Sequence, residues 1–191
     1  MLRDGGLAFL RPVRPDDADG LAELHAHLSS ESKYLRYFTA RSTLPDAELE
    51  RSASVDYRDR MAFVAFVQGR LAGYACYVHS RPEVVAEIAF QVEDAQQGRG
   101  LGTLLLEQLA AYAHAHDLHH FKASVLPQNR RMIEVFRDAG FPRRLLRDGD
   151  VVEVYLDVDP TRNTREAIER RHAEALLHAR ERLDDAKRDR P

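Results

Sequence analysis

The run Gln97-Gly98-Arg99-Gly100-Leu101-Gly102 constrains this 191-residue chain more than any other feature. It joins a β-prone segment, VVAEIAFQV at 84–92, to an apolar segment of helical spacing, TLLLEQLAAYAHAH at 103–116. Glycines there permit positive φ and close approach of the backbone, and the free N–H groups at the start of the helix point at whatever anion occupies the turn. The helix dipole adds a further attraction for negative charge. A dinucleotide fingerprint would place G-x-G-x-x-G after the first strand of a βαβ unit, with an acidic residue about 20 positions on, and a Walker loop would end in Gly-Lys-Ser/Thr. Here the turn comes late, its third glycine is out of place, and the lysine is missing. A phosphate cradle and a purely structural glycine turn are the two readings left.

The surrounding pattern is that of a mixed α/β domain. Residues 7–14 alternate loosely and stop at Pro15, which predicts a first strand. Asp16-Asp17 then open a helix carrying Leu21, Leu24 and Leu28 on one face. Short helices are expected over 29–38, with Tyr34, Arg36, Tyr37 and Phe38, and over 46–54, opened by Pro45. The runs 61–67 and 71–79 flank Gln68-Gly69-Arg70 as a hairpin, and 84–92 forms the next strand. A strand over 121–126, a helix over 128–139 stopped by Gly140, and strands over 143–146 and 151–158 complete a domain at 1–159. Beyond Pro160 the chain is charged and lacks strand signal. Ile168, His172, Ala175, Ala179 and Leu183 recur at three and four, which predicts one amphipathic helical extension over 160–191. Its narrow, Ala-rich stripe suits a helix–helix contact, on the domain or across a homodimer.

Composition narrows the function. A formal charge of −3 and a sequence pI near 6.3 lack the basic excess of a nucleic-acid binder. No stretch approaches the roughly 18 uninterrupted apolar residues of a membrane span, and the opening residues lack a signal-peptide core. A cytoplasmic location is expected. Cys76, the single cysteine, rules out an internal disulfide and reads as a small core residue in YACYV. His114, His116, His119 and His120 cluster without a Cys or carboxylate at ligand spacing in the sequence, so no metal is expected.

The turn also resembles the Q/R-x-x-G-x-G/A signature of the GNAT superfamily of N-acetyltransferases. About thirty residues on, NRRMIEVFRDAGF (129–141) is similar to that family's second signature, an Asn opening a helix that closes on Gly-Phe. Over roughly 7–158 the element order matches as well. The resemblance implies the GNAT fold, a mixed and mostly antiparallel sheet flanked by helices, and acetyl-CoA or another short acyl-CoA as cosubstrate. It implies a pyrophosphate on Gln97, Gly98, Arg99, Gly100, Leu101, Gly102 and Thr103, chiefly through backbone N–H groups. It further implies a Val92 N–H facing the acetyl carbonyl and Asn129 on the pantetheine arm, with Arg130 or Arg131 in reach of the 3′-phosphate. The segments LSSESKYLRYF and LPDAELERSASVDYRDRMAFVA, with AEIAFQVEDAQQGRGLG, resemble Pat-type bacterial protein lysine acetyltransferases, which act on acyl-CoA synthetases.

Acyl transfer to an amine needs the amine unprotonated, and neutralising a lysine at pH 7 costs roughly 4–5 kcal/mol. A carboxylate acting as general base, with a pKa raised by burial, is the usual answer. The resemblance assigns that role to Glu87, in the strand before the turn. An exposed strand residue is the plain alternative for Glu87, and Glu83 and Glu93 are the other candidates. Phe136 occupies the position where many family members carry a tyrosine as general acid, so that acid is missing. The thiolate then leaves unprotonated, or Tyr77 or Tyr155 stands in. Acceptor classes stay open between a protein lysine and a small amine, and a non-catalytic acyl-CoA-binding module is the third reading.

Overall fold

The computed structural model describes the chain through residue 188, with side chains through residue 182. Strand β1 (Ala8–Pro12) leads through a short 3-10 turn into α1 (Ala18–His27), α2 (Ser30–Tyr37) and α3 (Asp46–Ala53). Strands β2 (Arg60–Val67), β3 (Arg70–His79) and β4 (Val85–Val92) follow, then α4 (Leu101–His114), β5 (His120–Val125) and α5 (Arg130–Asp138). Strands β6 (Arg143–Asp148) and β7 (Val151–Asp157) precede the long α6 (Arg162–Arg188).

Local chemistry explains most boundaries. Gln68 and Gly69 both take positive φ, 51° and 79°, the geometry that lets a two-residue turn join β2 to β3. The Ser29 hydroxyl accepts the Ser32 N–H and caps α2, and Asn129 Oδ1 caps α5 by accepting from Met132 N–H at 3.1 Å. Gly140, with φ 80°, ends α5.

The seven strands form one sheet in the order β1-β2-β3-β4-β5-β7-β6. Against one face lie α4 and α5, whose Leu105, Leu106, Leu109 and Phe136 pack on Met61, Ala75, Ile88 and Phe121. On the other, Leu21 and Leu24 of α1 and Ala53 of α3 cover Val64 and Tyr74. Gly73 gives α4 its close approach, since a Cβ there would meet Leu105 at 3.1 Å.

One junction positions the site. Strands β4 and β5 run parallel, the only parallel neighbours among the described residues, and they pair only over Val85–Glu87 with His120–Lys122. Beyond that point they part, and 88–92 has no β5 partner.

Helix α6 lies against the domain. The Thr164 hydroxyl donates to Gly140 O, a Cβ on Gly140 would come 2.8 Å from Ala167, and Arg171 reaches both Glu107 of α4 and the Asp138 carbonyl of α5. Its inward face is Thr164, Ala167, Arg171 and Ala175, with Ile168 and Ala179 half-buried. His172, expected on that face, is exposed. The expectation followed apolar spacing and passed over Arg171, whose charge is satisfied by Glu107 on the inside. The Leu183 side chain, expected on the same stripe, lies outside the described ones. Among the described residues no helix is long and apolar enough to cross a membrane.

Candidate active site

The gap between β4 and β5 opens into a cleft of about 660 Å³. It is lined by β4 from Glu87 to Val92, by Ala123–Val125 of β5, by the glycine turn and by the first turns of α5. The register of β3 on β4 fixes where the backbone of β4 points. Glu93 N–H donates to Ala72 O at 2.9 Å, which makes the Gly73 and Val92 pair a non-hydrogen-bonded one. The amides of Val92 and, two residues back, Phe90 therefore face away from β3 and into the gap.

The turn supplies the second wall. Gly98 and Gly100 hold φ of 75° and 87°, and open space surrounds the Gly98 Cα where a Cβ would project. Among the described residues the N–H groups of 98–103 find no protein acceptor, as expected where a helix begins without a side-chain cap. The buried Thr103 hydroxyl also lacks a partner. Unpaired amides, a glycine cradle and an orphaned hydroxyl on one cleft fit the anionic arm of acetyl-CoA.

The predicted residues divide by what their side chains do. Gly98, Gly100, Leu101, Gly102 and Thr103 line the cleft. Gly102 also admits α5, since a Cβ would meet Val135 at 3.2 Å. Gln97 is a latch: its amide nitrogen donates to Val92 O at 3.0 Å and Ser32 Oγ at 3.2 Å, and its oxygen accepts from Arg131. The Arg99 side chain turns away to Asp4, at 2.7 Å. Asn129 spends its oxygen on the α5 cap and has only its amide N–H groups to offer the cleft. Arg130 and Arg131 also line the cleft.

Glu87 is exposed at the cleft, opposite Val78 on β3 and Lys122 on β5. The burial expected of a base is absent there, because the face of the sheet beyond β4 is left uncovered. Glu83 lies in the exposed loop before β4, and Glu93 faces Arg70 and His27, each at 3.8 Å; neither lines the cleft. Phe136 is 1% exposed and packs edge-on against Phe90. Tyr77 is buried, its hydroxyl on Arg58 O and its pKa pushed well up by burial. Neither it nor Tyr155 lines the cleft. Cys76, expected in the core, is half-buried and faces the cleft, because its side chain shares the Ala89 side of the sheet.

Other participants carry no local signal in the sequence. Asp94 gathers the Ser29 N–H and the Ser29 and Ser32 hydroxyls within 2.9 Å, tying α2 to the end of β4. Burial disfavours its charge, yet these hydrogen bonds prevail and hold its carboxyl below the usual range. Tyr37, outside the cleft lining, accepts from Gln91, which lines it, and stacks under Arg36 and Arg41. On β5, Lys122 sits 2.8 Å from Glu153, whose hydrogen bond raises the amine pKa, and Ser124 donates to the same carboxylate at 2.7 Å. Away from the cleft, His114 and His119 both donate to Asp159 Oδ1, at 2.9 and 2.6 Å. The histidine cluster thus has the carboxylate partner that its sequence neighbourhood lacked, brought from the end of β7.

Known proteins agree with this geometry. The model of the acetyltransferase (GNAT) family matches residues 26–141. This chain belongs to that family, whose members use acetyl-CoA. Acetyltransferase Pat of Mycolicibacterium smegmatis is 32% identical over 162 residues, covering 83% of this chain and 48% of that protein. The chain therefore spans about half the length of that relative. The crystal structure of the GNAT domain of S. lividans PAT superposes with a TM-score of 0.76 at 37% identity, over 82% of this chain and 93% of that one. An L-methionine sulfoximine/L-methionine sulfone acetyltransferase of Pseudomonas aeruginosa is 32% identical over 130 residues, 59% of this chain and 76% of that protein.

Proposed function

We propose that this chain transfers an acetyl group from acetyl-CoA to a lysine side chain of a protein, with acyl-CoA synthetases as the target class. The observation that carries this reading is the parting of β4 from β5. It brings unpaired phosphate-type amides, an inward-facing Val92 N–H and the Glu87 carboxylate into one cleft. The likeness to Pat proteins, in sequence and in fold, supports the protein acceptor. So does an exposed Glu87, which a lysine presented on a protein surface can reach.

Acetyl-CoA supplies an activated thioester, and the protein positions it. The amides of 98–103 hold the phosphates, the Asn129 amide N–H groups face the pantetheine arm, and the Val92 N–H stabilises the carbonyl oxygen as it gains charge. Glu87 takes a proton from the lysine ammonium, directly or through water, and the freed amine attacks the thioester carbonyl. With Phe136 in the core, no phenol lies on the cleft to protonate sulfur. A thiol pKa near 8.5 makes departure as thiolate feasible.

A small-molecule amine is the second reading, favoured by the likeness to the methionine sulfoximine acetyltransferase. Thiol release from acetyl-CoA, measured with a purified acyl-CoA synthetase and in parallel with small amines, separates the two. Modification of one synthetase lysine, lost in Glu87→Ala, is the expected result. Turnover with small amines alone would refute the protein acceptor and keep the site.

A further inference from the structure

Residues 1–6 run between the glycine turn and α6, fixed from both sides. Leu2 is 1% exposed in the core, and Arg3 N–H donates to Arg99 O at 2.9 Å. From the other side, His178 Nδ1 donates to Arg3 O at 2.5 Å. Gly5, with φ 76°, lies so close to α6 that a Cβ would come 2.5 Å from the backbone nitrogen of Ala179. This segment lays the Arg3 side chain along the cradle: its Cγ and Nε would be 3.1 and 3.5 Å from a Cβ on Gly100. Arg3 lines the cleft, and its side chain is 45% exposed. Its guanidinium meets Asp138 at 2.5 Å, but that carboxylate is shared with Arg137 at 2.9 Å. Two guanidinium groups on one carboxylate leave net positive charge beside amides that have no acceptor.

We infer that Arg3 is a phosphate ligand for acyl-CoA, and that α6 is the brace holding it at the turn. The inference rests on the reading of the cleft as the acyl-CoA site. A guanidinium presents paired donors to phosphate oxygens and stays charged at any working pH. Arg3 is half-exposed, so reaching an anion on the turn requires side-chain rotation only. The brace is anchored where Arg171 joins Glu107 and the Asp138 carbonyl, next to the carboxylate that Arg3 holds in the free protein.

Calorimetry on the full chain tests both parts, with CoA and 3′-dephospho-CoA as probes. Arg3→Gln is expected to weaken CoA binding about tenfold, the worth of one charge-assisted hydrogen bond. It should also flatten the dependence of affinity on ionic strength, which a merely structural loss would leave in place. Equal losses for the two probes assign Arg3 to the diphosphate, and a loss for CoA alone assigns it to the 3′-phosphate. Gly5→Ala, which must push the segment off α6, is expected to weaken CoA similarly, with little further loss in the double variant. His178→Ala serves in its place should Gly5→Ala not fold. Unchanged CoA affinity in a folded Arg3→Gln overturns the ligand, and additive losses in the double variant overturn the brace. A wild-type chain that binds no CoA overturns the cleft assignment itself.

Discussion

Replacing Glu87 by Gln keeps the size and shape of the side chain and removes its negative charge and its capacity to take a proton. The carboxylate stands exposed at the mouth of the cleft, opposite Lys122, which Glu153 holds at 2.8 Å. No buried partner depends on Glu87, so the substitution leaves fold and cosubstrate affinity intact. A lysine of pKa 10.4 is about one part in a thousand unprotonated near pH 7.4. Without a base, turnover must draw on that fraction, and kcat/KM with the amine should climb about tenfold per pH unit until the amine titrates. With the base, about 10²–10³ of that roughly thousandfold deficit is recovered near neutral pH, or about 3–4 kcal/mol of barrier. The assay is initial-rate thiol release from acetyl-CoA between neutral pH and about pH 9.5, alongside calorimetry of acetyl-CoA. The expected outcome is a large loss at neutral pH that narrows as pH rises, at constant affinity for acetyl-CoA. A Gln variant within about threefold of wild type at neutral pH, set against that hundredfold minimum, would remove Glu87 from the chemistry.

Three further outcomes follow from packing and charge. Arg171→Ala strips the partner from Glu107, where the two side chains are 12% and 11% exposed. It should cost roughly 3–5 kcal/mol in urea unfolding, and a cost under about 1 kcal/mol would show the α6 anchor to be dispensable. Gly102→Val drives a side chain into Val135, 3.2 Å from the Cβ position, and should cost about 1–3 kcal/mol; a neutral result would mean that α5 yields freely. The hydrogen bond to Asp159 raises the His119 pKa, and the same contact lowers that of Asp159. The raised imidazole stabilises the fold below about pH 6.5 and the lowered carboxylate above about pH 4, so the pair acts between them and fades as pH rises through the folded-state imidazole pKa. The melting temperature of wild type should therefore exceed that of Asp159→Asn most near pH 5–6 and least near pH 9, and an equal gap at both would refute the linkage.

Features coded by neighbours in the chain were the ones legible from sequence. The β2–β3 hairpin follows from Gln68-Gly69 and the cradle from three spaced glycines, because each uses residues a few positions apart. The narrow β4–β5 seam was not legible, since it joins strands separated by the whole of α4 and nothing in either strand counts how far they pair. Asp159 was invisible as a partner for His114 and His119 for the same reason: about forty residues part them, and only the sheet returns it. On the inward face of α6, Ile168, Ala175 and Ala179 were legible and His172 was not, because apolar spacing has no term for a half-buried arginine, Arg171, with a partner. Residues 1–6 carry no periodicity at all, so Arg3 became visible only when folded against Gly100 and His178.

The seam has a thermodynamic consequence. The sheet is two laminae, one of four strands and one of three, glued along three residue pairs. An extended pantetheine arm lying in the gap would act as mortar, pairing with backbone groups of β4 that no strand serves. Occupancy and cohesion are then one quantity, and at a hundred times its Kd the cosubstrate would add about 2.7 kcal/mol of stability. Much of that gain would show as slowed amide exchange at Phe90 and Val92, and the lamina β5–β7 would hold most firmly to the rest while the acyl donor is bound.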